Sequence, residues 1–94
     1  TSSSVYPREV ISVAIERGSA ALIFAHNHPS GDPAPSQGDL DRTRQIHAAA
    51  ECVGIDLHDH VIVGNGSYCS LRTTHPHLFG EGRTDTHPHF FMDN

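Results

Sequence analysis

Ala20 to Ala25 is a continuous apolar run. With helical patterns on either side, it reads as a strand covered on both faces, the usual condition of a central or parallel strand. Its carboxyl end runs directly into His26-Asn27-His28. If the chain stays extended through His28, side-chain alternation puts both imidazoles on one face. The next stretch, Pro29 to Pro35, cannot be regular. Pro29, Pro33 and Pro35 fix φ and Gly31 supplies a bend. Such a loop is stiff, and ordering it costs less entropy than ordering a flexible one.

The flanking segments have helical signals. Residues 5 to 18 read as a helix, with Pro7 at the first helical position and Gly18 at the exit. Val10, Ile11, Val13, Ala14 and Ile15 cover a wide arc, which predicts burial on more than one side. Ser36 to Val53 reads as the second helix, with Ser36 as N-cap, Asp39 at the third helical position and Gly54 as the stop. Thr43, Ile46, Ala50 and Val53 form a stripe. Extended back one turn, that stripe reaches Asp39, at the end where the histidines emerge.

Ile55 to Gly64 reads as a second strand, with Leu57, Asp59, Val61 and Val63 on one face and His58, His60 and Ile62 on the other. Asn65-Gly66 is a hairpin signal, and Ser67 to Arg72 is the expected return strand. The order helix, strand, helix, strand, strand predicts an α/β fold. A parallel pair joined by a helical crossover gains one antiparallel strand, giving a small mixed sheet flanked by helices. No strand precedes the first helix, so one edge is expected to be bare.

At 94 residues the chain is one domain at most. Only 36% of it is apolar, and the core must come from residues 5 to 72. A core that small calls for a metal, a missing segment or a partner to stabilise it. The formal charge is −5 and the six basic residues are all arginine, which argues against a nucleic-acid-binding surface. Cys52 and Cys69 are too few for a disulfide framework. They read as reduced and buried, which suits a cytoplasmic chain. No apolar run is long enough to span a membrane, and Thr1-Ser2-Ser3-Ser4 lacks the features of a signal peptide. Without an initiator methionine, an excised domain or fragment is expected. Residues 73 to 94 carry two near-copies, Thr74 to Phe79 and Thr86 to Phe91, and read as a mobile His/Pro tail, outside a domain of residues 1 to 72.

Histidine, histidine and carboxylate are ligand types that leave a divalent zinc one open position. His26, His28 and Asp39 are therefore candidate ligands for one zinc ion, with helix capping and loop hydrogen bonds as the rival explanation. Ser36 is an N-cap whose hydroxyl would also lie close to the metal, where it could support an oxyanion. Asp32 and Ser30 read as turn residues. His58, Asp59 and His60 are a competing constellation that cannot easily converge on one ion, though one of them could hydrogen-bond near the site. No glutamate is placed beside the metal by any sequence argument. A His-Asn-His nuclease is disfavoured by the missing ββα-metal organisation and the scarcity of basic charge.

His26-x-His28, seven residues, Ser36, two residues and Asp39 together resemble the JAMM motif of JAB/MPN+ zinc metallopeptidases. Val5-Tyr6-Pro7-Arg8-Glu9-Val10, Ala25 to Pro33, Pro35-Ser36, Asp59 to Gly64 and Tyr68 with Ser70-Leu71 resemble the RadC family of bacterial proteins, historically called DNA repair proteins. The resemblance implies a cytidine deaminase-like, JAB-type α-β sandwich, represented by its C-terminal part and incomplete on its N-terminal side. It implies His26, His28 and Asp39 as zinc ligands and Ser36 as the serine that supports a tetrahedral intermediate. The implied reaction is attack of a water-derived nucleophile on an amide or isopeptide carbonyl. The family's catalytic glutamate lies upstream of the first helix and outside this chain, so an upstream segment or partner is expected to complete the sheet. The alternative is a non-catalytic metal-binding or interaction module associated with DNA repair.

Overall fold

A computed structural model describes residues 6–80 and 88–93. The chain runs through α1 (Pro7–Glu16), β1 (Ala21–Asn27), α2 (Gln37–Cys52), β2 (Asp56–Val63), β3 (Tyr68–Ser70), α3 (Leu71–Thr74), a single 3-10 turn at Pro76–Leu78, and β4 (Pro88–Asp93). The strands form one sheet in the order β3-β2-β1-β4. β1 is parallel to both neighbours, and β3 is antiparallel to β2. The mixed sheet flanked by helices is the architecture expected of a JAB-type α/β sandwich.

Both long helices pack on one face of the sheet. Leu22 and Phe24 of β1 and Leu57 of β2 join Val10, Ile11 and Ala14 of α1 and Ile46 and Ala50 of α2 in the core. α1 is more one-sided than its sequence suggests. Val10, Ile11 and Ala14 are buried, but Ile15 is 57% exposed. On α2 the stripe runs Asp39, Thr43, Ile46, Ala50; Val53 is the C-cap and points outward. Cys52, on the last turn of the same helix, is a free thiol and is exposed rather than buried, and Cys69 is half-buried. The other face of the sheet is open, with Phe90 and Met92 of β4 largely exposed on it.

Three local expectations are corrected. First, strict alternation fails at the start of β2. Leu22 pairs with Leu57 but Ile23 pairs with Asp59, so His58 is an extra residue in a β-bulge. Leu57 therefore shares the core face with His60 and Ile62, and does not lie with Asp59 and Val61. Second, the return strand stops at Ser70 instead of running to Arg72. Ser70 accepts the Thr73 N–H as an N-cap and Leu71 is fully buried, so the chain turns into α3. Third, parts of the expected mobile tail belong to the fold. Leu78 and Phe79 are buried in the core. Pro88–Asp93 lines β1 from Ala21↔Pro88 to His26↔Asp93, with Phe91 stacked on Phe24 at 5.7 Å between ring centroids. Alternation in this strand gives Phe91 an apolar surface to cover, and β4 is then the outer strand of a sheet that stays open and incomplete on one side, as expected. The remaining tail residues, 81–87 and 94, lie outside the described residues.

Candidate metal centre

The carboxyl end of β1 and the amino end of α2 meet at one corner of the fold. His26 is in β1 and His28 follows it directly, with the backbone still tied to β2 through His28 N–H to the Val63 carbonyl at 2.9 Å. Extended pairing thus carries past the end of β1, and both rings reach the same corner, 4.9 Å apart between centroids. The proline-rich loop is held by its own turns. The Gly31 N–H reaches the His28 carbonyl at 2.9 Å, the Ala34 N–H reaches Asp32 Oδ1 at 3.0 Å, and the Asn65 N–H reaches the Gly31 carbonyl at 2.8 Å.

Ser36 and Asp39 then form a reciprocal capping box. The Asp39 N–H donates to Ser36 Oγ at 3.2 Å, and the Ser36 N–H donates to Asp39 Oδ2 at 2.8 Å. Capping fixes the rotation of α2 and with it the direction of the Asp39 carboxylate. His26 Nε2 stands 3.2 Å from Oδ1 and His28 Nε2 stands 3.0 Å from Oδ2. The three groups can each offer a ligand atom within 4.8 Å of the others. Tetrahedral zinc ligands at about 2.0–2.2 Å from the ion stand roughly 3.3 Å apart, and each imidazole has one carboxylate oxygen near that separation, His26 with Oδ1 and His28 with Oδ2.

The electrostatics also favour a cation here. Asp39 is 3% exposed. Burial pushes its carboxyl up, but the Ser36 N–H, the Ser36 hydroxyl and the His26 and His28 rings more than offset this and hold it below the usual carboxylate value. The carboxylate is therefore ionised at neutral pH. Arg42 Nη1 approaches Oδ1 at 3.5 Å from the helix side. His28 Nδ1 stands 2.8 Å from the Asp32 carbonyl, which can only accept, so Nδ1 carries the proton. In the neutral ring this leaves the Nε2 lone pair facing the carboxylate. A lone pair facing a carboxylate at 3.0 Å is repelled by it, and a metal ion between them would relieve that repulsion.

His60 is the residue whose place sequence reasoning left open. It is fully buried, with its ring 5.0 Å from that of His26 and 4.8 Å from that of Phe24. Its Nε2 lies 2.9 Å from His26 Nδ1, and its Nδ1 lies 2.6 Å from Thr43 Oγ1. Burial first, and His26 second, lower its pKa to about 3, so the ring is neutral. The other two members of that constellation go elsewhere. His58 pairs with Asp56 at 2.9 Å, and Asp59 accepts from Ser70 and Arg72. The sequence signal for His60 was its alternation with Ile62 on a strand expected beside β1. Among the described residues no glutamate joins the cluster: Glu9 caps α1 through the Tyr6 N–H, and Glu16 and Glu51 are exposed on their helices.

Comparison with known proteins agrees with the geometry. The family model for RadC, a RadC-like JAB domain, matches residues 1–76. A UPF0758 protein of Rhodobacter capsulatus is 56% identical over 68 residues, covering 72% of this chain and 32% of its own length. One from Syntrophomonas wolfei is 51% identical over 71 residues, covering 76% of this chain and 30% of its own. A third, from Desulforudis audaxviator, is 54% identical over 71 residues. The chain thus spans about a third of the length of the curated relatives it matches. The match takes in the His26-to-Asp39 loop and every element up to α3, and by it the chain belongs to the RadC family of JAB-type domains.

Proposed function

We propose that this chain is the zinc-binding part of a metallopeptidase-type hydrolase acting on amide or isopeptide bonds. The observation that carries the reading is the ionised, buried Asp39 carboxylate held between His26 Nε2 and His28 Nε2. Zinc at these three groups would supply Lewis acidity and a water-derived nucleophile at neutral pH. The chain's own residues do the rest. The capping box keeps the carboxylate aimed at the imidazoles, and the Pro29–Pro35 loop keeps that arrangement stiff. The Ser36 hydroxyl sits at the exposed start of α2, where it would donate to the oxygen of a carbonyl under attack.

The second reading is a metal-binding or interaction module without turnover, associated with DNA repair. It is favoured by the lack of a glutamate at the cluster among the described residues, since a water-activating base must stand within hydrogen-bond reach of the water. The zinc-loaded chain joined to the upstream segment expected to carry the glutamate, assayed on a panel of peptide and isopeptide substrates with and without that glutamate, separates the two. Cleavage that disappears in His28→Ala and Asp39→Ala supports the hydrolase. Full zinc occupancy without cleavage supports the module. The compartment proposed is the cytoplasm, on the free state of both cysteines; no helix among the described residues is long and apolar enough to cross a membrane.

A further inference from the structure

Behind the His26 ring, hydrogen bonds form a line with a defined proton order. Thr43 Oγ1 donates to the Asp39 carbonyl at 2.7 Å. A hydroxyl has one proton, so toward His60 the same oxygen must accept. His60 Nδ1, 2.6 Å away, is then the protonated nitrogen. A neutral imidazole has a single N–H, and at 0% exposure an imidazolium here would be costly. His60 Nε2 is therefore an acceptor. Its partner at 2.9 Å, His26 Nδ1, must be the donor. That leaves the His26 lone pair on Nε2, the atom that faces Asp39 Oδ1 at 3.2 Å.

We infer that Thr43 and His60 are positioning residues that hold His26 in its Nδ1–H tautomer, with Nε2 presented to a divalent metal. The inference rests on the metal reading and names the residues that prepare one of its ligands. The line starts and finishes at the same residue. The Asp39 carbonyl sets the proton order at one end, and the Asp39 carboxylate stands beside the prepared nitrogen at the other. Asp39 and Thr43 are one helical turn apart on α2, so the helix itself fixes the spacing of both ends. The bulge at His58 puts His60 on the face that meets Thr43. His28 is prepared separately, by the Asp32 carbonyl. Outer hydrogen bonds of this kind fix ring orientation and tautomer in metal-ligating histidines.

Thr43→Val removes the hydroxyl at nearly constant shape, and Thr43→Ser retains it. Nitrogen NMR of the metal-free chain at about pH 8.5, where ordinary imidazoles are neutral, reads the tautomer of His26. Competition against a zinc-chelating dye reads affinity. The wild type and Thr43→Ser are expected to show a single Nδ1–H tautomer and matching zinc affinity. Thr43→Val is expected to show mixed tautomers and affinity weaker by about tenfold to a hundredfold. Should that variant fail to fold, His60→Phe keeps a ring and removes the acceptor, with the same expected loss. An Nε2–H tautomer in the wild type overturns the inference, as does a folded Thr43→Val with one tautomer and unchanged affinity. A wild type in the Nδ1–H form that binds no zinc overturns the metal reading instead and reduces the relay to packing.

Discussion

Gly64, at the end of β2, lies against the carbonyl of Gly31 in the proline-rich loop. A Cβ at Gly64 would clash with that oxygen and would sit 2.8 Å from Pro33 Cδ. The contact is backbone against backbone, so neither side can turn away cheaply. It ties the strand that carries His60 to the loop that connects His28 with Asp39.

Gly64→Ala should therefore push the loop off β2. The expected cost is about 1–3 kcal/mol of stability, as for other overpacked sites, together with weaker metal binding because His28 and Asp39 lose their shared support. Urea unfolding and a zinc titration on the same variant check both. Unchanged stability would mean the close approach is not maintained in solution.

Asp59 has a structural role although it stands next to His60. Its carboxylate accepts from Ser70 Oγ at 2.6 Å, from the Arg72 N–H at 2.9 Å and from the His60 N–H at 2.7 Å. It joins β2 to the start of α3. Asp59→Ala should lower stability by about 1.5–3 kcal/mol, the range for hydrogen bonds to a charged group, and leave zinc affinity within a few-fold. A loss of metal binding without a loss of stability would reassign Asp59 to the site.

Acid should destabilise the metal-free chain through His60. Its pKa in the fold, lowered to about 3 by burial and by His26, lies below its ordinary 6.5. Above pH 6.5 neither the folded nor the unfolded state protonates it and its contribution is constant. Below that the unfolded chain takes up a proton that the folded chain does not, so stability falls with pH toward 3, by up to about 1.4 kcal/mol per pH unit. Asp39, whose carboxyl is lowered, acts in the same direction at still lower pH. Thermal unfolding in the presence of a chelator measures the slope, and His60→Phe should flatten its upper part.

A chain ending at Gly80 should uncover the edge of β1, which β4 otherwise pairs along its length. An unpaired central strand invites pairing with another copy, so sedimentation should show concentration-dependent association and unfolding should occur at a lower temperature. A monomeric truncated chain of unchanged stability would remove β4 from the account.

The parts of this molecule legible in the sequence are those set by local rules. His26 and His28 share a corner because strands alternate, and Asp39 faces them because Ser36 caps the helix. The bulge at His58 was not legible, since no residue type marks it; it follows from the pairing of β2 with β1. Nor was β4. Phe91 has no partner within its own segment, and only Phe24, far away in sequence, gives it something to cover. The role of His60 depends on both the bulge and the neighbouring helix, so alternation alone could place its face and not its partners.

The central claim is that His26, His28 and Asp39 hold one zinc ion. X-ray absorption on the zinc-loaded chain, with stoichiometry by mass spectrometry, tests it most directly. The account predicts one zinc per chain, with two imidazole nitrogens at about 2.0–2.1 Å and a carboxylate oxygen at about 2.0–2.2 Å, lost in both His28→Ala and Asp39→Ala. Less than one zinc per wild-type chain, or a zinc that survives His28→Ala in full, would contradict it.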